Sequence, residues 1–249
     1  MEKTVGYVED LTVTYSNGRV ALKNISTVFH QGLTIVLGGT GSGKTTLIRS
    51  LLGLIPWIYP ARVEGQVSIL GLNPLRGGDV ARLPLMVGYA PQNPAYTFTQ
   101  LRVWDELESR QVFLEENGVR IRIDAGDALY MLGLEGLRES YVDELSGGEQ
   151  RRLAIARAII GPPLLVVLDE PLADLDESIV REFNGVVGEL LRYSSIIVAD
   201  HRANYLLSLD GEVIVLAKGL LAWRGRTSEE IDGELLGKLR IGFGREHCM

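Results

Sequence analysis

The chain has a single cysteine, Cys248, among 249 residues. No disulfide can form within it, which suits a reducing compartment, and Cys248 reads as a frayed terminal residue. No segment approaches the ~18–20 uninterrupted apolar residues of a membrane span. The first ten residues, MEKTVGYVED, are acidic and hold no apolar stretch, so no secretory leader is expected. If the protein works at a membrane, another polypeptide holds it there. A positive excess is also missing: 25 Lys and Arg face 32 Asp and Glu, a net charge of −7. Nucleic acid is therefore not expected as a partner, because phosphate backbones are held by basic surfaces. There is no internal repeat, low-complexity run or heptad array.

What remains is ordinary globular material, 46% hydrophobic and 23% charged, long enough to bury a substantial core. LTVTYSNGRVALKNISTVF alternates apolar and polar residues about Asn17-Gly18, which predicts a hairpin. LTIVLG (33–38) predicts a buried strand that runs into a glycine loop. After it, Ile48, Leu51, Leu52 and Ile55 keep helical spacing, with Pro56 expected to stop the helix. RVEGQVSILG and LMVGYAPQ (85–92) return to strand character. Residues 99–117 turn helical and acidic, and a short helix follows Asp124. LLVVL (164–168) and SIIVAD (195–200) are buried strands flanking a helix at 176–192. EVIVLAKGLLAWRG predicts a hairpin, and a last helix is expected from Ser228. Strands alternating with helices indicate an α/β fold with a mostly parallel sheet. The expected domain plan is one domain over 1–249. Residues 1–92 and 161–249 form a core with an antiparallel β subdomain, and 93–160 an inserted helical lobe.

GGTGSGKT satisfies G-x-x-x-x-G-K-[ST] at Gly38, Gly43, Lys44 and Thr45, with a strand before it and a helix after. Glycines let the backbone curl until its N–H groups surround phosphates at a helix N-terminus. Lys44 reaches the terminal phosphates, and the Thr45 hydroxyl is a magnesium ligand. In LLVVLDEP, Asp169 ends a buried strand and can hold magnesium through water. Glu170, next in line, is either a solvated carboxylate or the group that polarises an attacking water; its place after a metal carboxylate favours the second. ELSGGEQRR (144–152) raises a further question. Ser146 and Glu149 make the S-x-x-E capping box, so a helix opens at Gly147. Gly147 and Gly148 each cost roughly 1 kcal/mol there relative to alanine, and what they offer is bare N–H groups at a positive helix end. The chain already holds one nucleotide at 38–45, so the second site is read as serving a nucleotide presented by another copy.

LSGGEQ (145–150) resembles the signature motif of ATP-binding-cassette (ABC) ATPases, and the match extends along nearly all the chain. Tyr15 corresponds to the aromatic that stacks on adenine, Gln92 to the glutamine loop, ADLD (173–176) to the loop after the catalytic glutamate, and His201 to the switch histidine. The resemblance implies a P-loop NTPase (RecA-like) core, with ATP and Mg2+ bound. Nucleotide contacts fall on Tyr15, Gly38, Gly39, Thr40, Gly41, Ser42, Gly43, Lys44, Thr45 and Thr46; metal contacts fall on Thr45, Gln92 and Asp169. In this family two cassettes pack head to tail around two ATP molecules. Ser146, Gly147, Gly148 and Asp176 would therefore act on the partner's ATP, while Glu170 activates water, His201 bridges water and γ-phosphate, and Gln92 completes the catalytic set.

VGYAPQNPAYTFTQLRVWDEL is similar to the Q-N-P segment of energy-coupling-factor ATPases, which drive vitamin and cobalt or nickel uptake; GLIPWIYPARVEGQV and HRANYL point the same way. The chain departs from that group at Thr97, usually a second glutamine, and at Leu172 and Asp174. The resemblance implies an ATPase peripheral to the cytoplasmic face of a membrane, joined to an integral membrane transport subunit and to a second ABC ATPase, identical or related. The alternative is a soluble ABC ATPase of iron–sulfur cluster assembly. A DNA-repair or chromosome cassette needs long coiled-coil insertions, a translation-factor cassette carries two copies per chain, and a non-hydrolysing one would not keep Glu170 and His201. Trp57, Tyr59 and Trp104 lie near segments that face the membrane partner in this family, with core packing the other reading. Glu106, Glu108, Glu115 and Glu116 read as a solvated helix face.

Overall fold

The chain doubles back at Asn17-Gly18. Gly18 sits at φ 80° and its N–H donates to the Tyr15 carbonyl at 2.9 Å, while the Tyr15 N–H donates to the Arg19 carbonyl at 3.0 Å. The Asn17 Oδ1 accepts from the Arg19 N–H at 3.0 Å. The computed structural model describes residues 3–161, 163–171, 177–201 and 203–227. In chain order its elements are β1 (Thr4–Tyr15), β2 (Val20–His30), β3 (Leu33–Leu37), α1 (Lys44–Leu51), α2 (Leu54–Trp57), β4 (Ala61–Ile69), α3 (Gly77–Val80) and β5 (Val87–Ala90). They continue with α4 (Val103–Glu116), α5 (Ala125–Met131), α6 (Gly147–Ile159), β6 (Leu165–Asp169), α7 (Glu177–Leu190), β7 (Ser195–Asp200), β8 (Gly211–Ala217) and β9 (Leu220–Arg226). Among the described residues no helix is long and apolar enough to cross a membrane. The helix expected from Ser228 lies outside the described residues, as does Cys248.

Two compact units divide the chain: Met1–Leu83 with Ile197–Met249, and Pro84–Ile196. In the first, β1 is the centre of an antiparallel sheet, order β2-β1-β4. Its inward residues Val8, Leu11, Val13, Leu22 and Ile25 are almost fully buried. A second layer runs β7-β3-β8-β9, with β3 parallel to β8 from Leu33↔Gly211 to Leu37↔Val215. β8 and β9 form the expected antiparallel hairpin, turning at Lys218 (φ 49°) and Gly219 (φ 78°). Every residue of β3 is buried, as parallel strands covered on both faces require.

One boundary departs from the sequence expectation. The apolar spacing through Ile55 suggests a helix that runs to Pro56, yet α1 ends at Leu51. Gly53, at φ 69°, breaks it first, and this glycine is needed there: a Cβ would press on the Val80 side chain and lie 2.8 Å from the Pro74 carbonyl. A positive-φ glycine just past the last turn is a stop signal that outranks a later proline.

In the second unit β5 pairs parallel with β6, Val87↔Leu165 through Ala90↔Leu168. α6 packs against β5 so closely that a Cβ on Gly88 would enter the Ala158 carbonyl. Leu165, Val166, Val167 and Leu168 are fully buried, which leaves the charge of Asp169 at the strand's end. α4 begins at Val103 rather than at Thr99, because the Glu106 carboxylate accepts from the Thr99 N–H at 2.8 Å and the Gln100 N–H at 2.9 Å. Those bonds hold the preceding residues extended, and Arg102 enters the helix at φ −110°, ψ 152°.

Candidate functional site

In the first unit the glycine loop joins β3 to α1. Gly41 (φ 77°) and Gly43 (φ 111°) occupy left-handed backbone, where a side chain is strained. A Cβ on Gly38 would press on the Ser42 hydroxyl and lie 2.5 Å from the Leu216 carbonyl, and one on Gly43 would lie 2.7 Å from Leu22 Cδ2. The loop is thus pressed between β8 and the start of β2. No side chain caps α1, and its first turn, at Lys44 and Thr45, is the positive end of the helix. The Ser42 Oγ is buried with no hydrogen-bond partner among the described residues, at a cost of about 1–3 kcal/mol for such a group. Lys44 is buried, with Nζ donating to the Gly38 carbonyl at 2.7 Å and standing 3.4 Å from that of Gly39. A positive helix end, an unsatisfied hydroxyl and a buried ammonium suit a polyphosphate. Gly39 and Thr40 lie at the more open front of the loop, and Thr45 and Thr46 open α1. The Tyr15 hydroxyl stands 3.1 Å from Thr46 Oγ1, so the aromatic expected at adenine is tied to this loop. At the end of β7, His201 Nδ1 is 3.3 Å from the carboxylate of Asp200, a residue 1% exposed.

The second unit carries the carboxylates. Asp169 is 1% exposed; a carboxylate that deep needs compensating charge or hydrogen bonds. Glu170 follows at φ 50°, a left-handed conformation that a non-glycine residue adopts at a cost and that concentrates at functional sites. The Gln92 Nε2 donates to Glu170 Oε2 at 2.8 Å, so two residues 78 apart in sequence meet. Ser146 caps α6 through the expected box: its hydroxyl stands 2.6 Å from Glu149 Oε2, which also accepts the Ser146 N–H at 2.8 Å. Those bonds, side chain first and backbone second, hold the Glu149 carboxyl below its ordinary range. Gly147 is exposed, and a Cβ there would meet nothing within 4 Å. Nothing packed against it among the described residues calls for glycine. Asp176 lies outside the described residues, together with ADLD, Leu172 and Asp174.

Several side chains correct or sharpen the sequence reading. Glu108, Glu115 and Glu116 are exposed as expected, but Glu106 is fully buried and paired with Arg157 NH1 of α6 at 2.6 Å. The same Arg157 nitrogen donates to the Thr97 carbonyl at 2.8 Å. Burial, with the Arg157 charge second, pushes the Arg110 guanidinium down to about 10. A helical-wheel signal was available, since Glu106 shares a face with Val103, Leu107, Arg110 and Leu114. Trp57 is 54% exposed and Tyr59 39%, which removes core packing as their explanation. Tyr59 lies under Arg49 at 3.9 Å, and Trp104 under Arg138 at 3.5 Å.

Residues 22–173 match the ABC transporter family. A relative in Pyrococcus horikoshii, assigned by name to the ABC transporter ATP-binding proteins, is 37% identical over 92% of this chain and 86% of its own length. One in Pyrococcus furiosus is 35% identical over 89% of this chain and 83% of its own. Among solved structures, CbiO1 from Clostridium perfringens superimposes with a TM-score of 0.73 at 25% identity, over 91% of this chain and 90% of that one, and is described as part of the ABC transporter complex CbiONQ.

Proposed function

We infer the working role of this chain from one premise: it belongs to the ABC transporter family, and it is an ATPase of that family. ATP is its substrate, with the polyphosphate in the Gly38–Thr46 loop and Tyr15 on the adenine. The Thr45 hydroxyl, the Asp169 carboxylate and the Gln92 amide oxygen are a hard oxygen donor set, of the kind magnesium prefers. When bound, the ion would supply charge neutralisation on the phosphates. Glu170 accepts a proton from the attacking water, with Gln92 holding its carboxylate in place. His201 hydrogen-bonds the γ-phosphate and water, with the Asp200 carboxylate 3.3 Å from its Nδ1. Little of this is covalent chemistry; positioning and electrostatics carry it.

Ser146, Gly147 and Gly148, with Asp176, act on the ATP of a second cassette, so that ATP closes a dimer and hydrolysis reopens it. The observation that carries this is Gly147. Gly38, Gly43 and Gly88 are each required by atoms beside them, whereas Gly147 is exposed with open space where a side chain would stand. A helix-opening glycine that costs stability and packs against nothing is explained by an anion approaching from outside.

The chain is the ATPase subunit of a transporter, and we place it among energy-coupling-factor importers of a vitamin or metal ion. Support comes from the Q-N-P segment and from the likeness to CbiO1, itself part of a transporter complex. It would sit on the cytoplasmic face of the membrane, held by an integral membrane subunit. Purification from native membranes in mild detergent, with partners identified by mass spectrometry, tests this. A polytopic membrane protein is the expected companion. Recovery of soluble scaffold proteins alone would replace the importer with an iron–sulfur assembly ATPase.

A further inference from the structure

Arg19 is a residue that the family motifs do not assign. It sits in the β1–β2 turn with both backbone groups committed: its carbonyl accepts the Tyr15 N–H and its N–H donates to Asn17 Oδ1. The backbone is therefore held while the side chain is exposed. That side chain reaches across to the glycine loop, where Arg19 Nη2 lies 3.7 Å from the point at which a Gly41 Cβ would stand. Two further contacts fix the same turn to the same loop. The Tyr15 hydroxyl meets Thr46 Oγ1 at 3.1 Å, and Gly43 is pressed against Ala21 and Leu22 at the start of β2.

The electrostatics of this placement are unfavourable in isolation. The loop already holds the buried Lys44 ammonium, bonded to the Gly38 carbonyl, and runs into the positive end of α1. A guanidinium brought to its open side meets like charge, and like charges at short range repel. Among the described residues Arg19 makes no ion pair and no side-chain hydrogen bond, so none of their carboxylates accounts for the position. An anion between the two cations does. A guanidinium suits that role because its planar fork donates two parallel hydrogen bonds to phosphate oxygens.

We propose that Arg19 is a direct contact to the polyphosphate of the bound nucleotide, a second cation on the loop that Lys44 serves, and that it favours ATP over less charged nucleotides. This rests on the reading of the loop as the ATP site. Because Arg19 is exposed, solvent screens it, and its removal weakens ATP binding about two- to fivefold rather than abolishing it. Its effect also shrinks as salt rises.

Calorimetric titration of ATP, ADP and adenosine into the parent chain, Arg19→Ala and Arg19→Lys at low and high salt tests the assignment, with thermal unfolding measured alongside. The expected result is weaker ATP binding by Arg19→Ala, a smaller loss for ADP and none for adenosine. Arg19→Lys should recover part of the loss, and the unfolding midpoint should not move. ATP binding by Arg19→Ala equal to the parent's overturns the proposal. So does an equal loss for adenosine, which would show Arg19 acting through Tyr15. A parent chain that binds no ATP while folded overturns the ATP reading itself, a result distinct from both.

Discussion

Glu170→Gln is expected to bind ATP as the parent does while its steady-state hydrolysis falls by ~10²–10⁴, the range associated with a positioned general base. The substitution keeps the size and shape of the side chain and removes its capacity to take a proton. It also spares the local structure, since a glutamine oxygen can still accept the hydrogen bond that Gln92 Nε2 makes to Glu170 Oε2 at 2.8 Å. The left-handed φ of 50° at Glu170 is set by the backbone at the end of β6 and is the same for either residue. Binding and turnover should therefore separate cleanly, and equilibrium titration beside phosphate release measures both. Hydrolysis at the parent rate would remove Glu170 from the base role and leave it a solvated carboxylate.

The largest effect on stability is expected at Glu106. Its carboxylate is fully buried, pairs with Arg157 at 2.6 Å and accepts the N–H groups of Thr99 and Gln100. Glu106→Ala strands two backbone donors and leaves Arg157 uncompensated beside Arg110, whose own pKa is already pushed down to about 10. Breaking a buried ion pair from one side costs about 3–5 kcal/mol, or on the order of 10 °C in unfolding midpoint for a chain of this size. Glu106→Gln keeps the shape and one acceptor and should lose less, about 1–3 kcal/mol. An unchanged midpoint for Glu106→Ala would show that the pair holds nothing. The network matters beyond stability because it ties the stretch after Gln92 to α6, the helix that opens at Ser146 and Gly147.

Much of this molecule is written in local signals. The β1–β2 hairpin follows from alternation about Asn17-Gly18, the α6 cap from Ser146 and Glu149, and the glycine loop from spacing alone, because in each case the determining groups lie within a few residues. The misreadings have a different origin. Apolar spacing carries α1 on to Pro56, the more conspicuous breaker, although Gly53 precedes it and stands against the Pro74 carbonyl. Glu106 reads as one of four solvated acids because its partner, Arg157, lies 51 residues away in sequence. Arg19 had no signal at all, since its significance lies in proximity to Gly41, which only the folded chain supplies. The contact of Gln92 with Glu170 falls between these cases: both residues were legible from motifs, but their hydrogen bond was not.

The ATP-closed dimer is tested most directly by sedimentation velocity of Glu170→Gln with and without ATP and magnesium, beside the same protein carrying Gly147→Asp. An aspartate at the first position of α6 favours the helix end and meets open space in its own chain, so folding should be unchanged. Facing the phosphates of a second copy, it should repel them. The expected result is a monomer that becomes a dimer with ATP, and an ATP-bound Gly147→Asp protein that stays monomeric. A dimer that forms equally well with Gly147→Asp, or a parent that binds ATP and never dimerises, would contradict the reading that one copy's glycine turn holds the other's nucleotide.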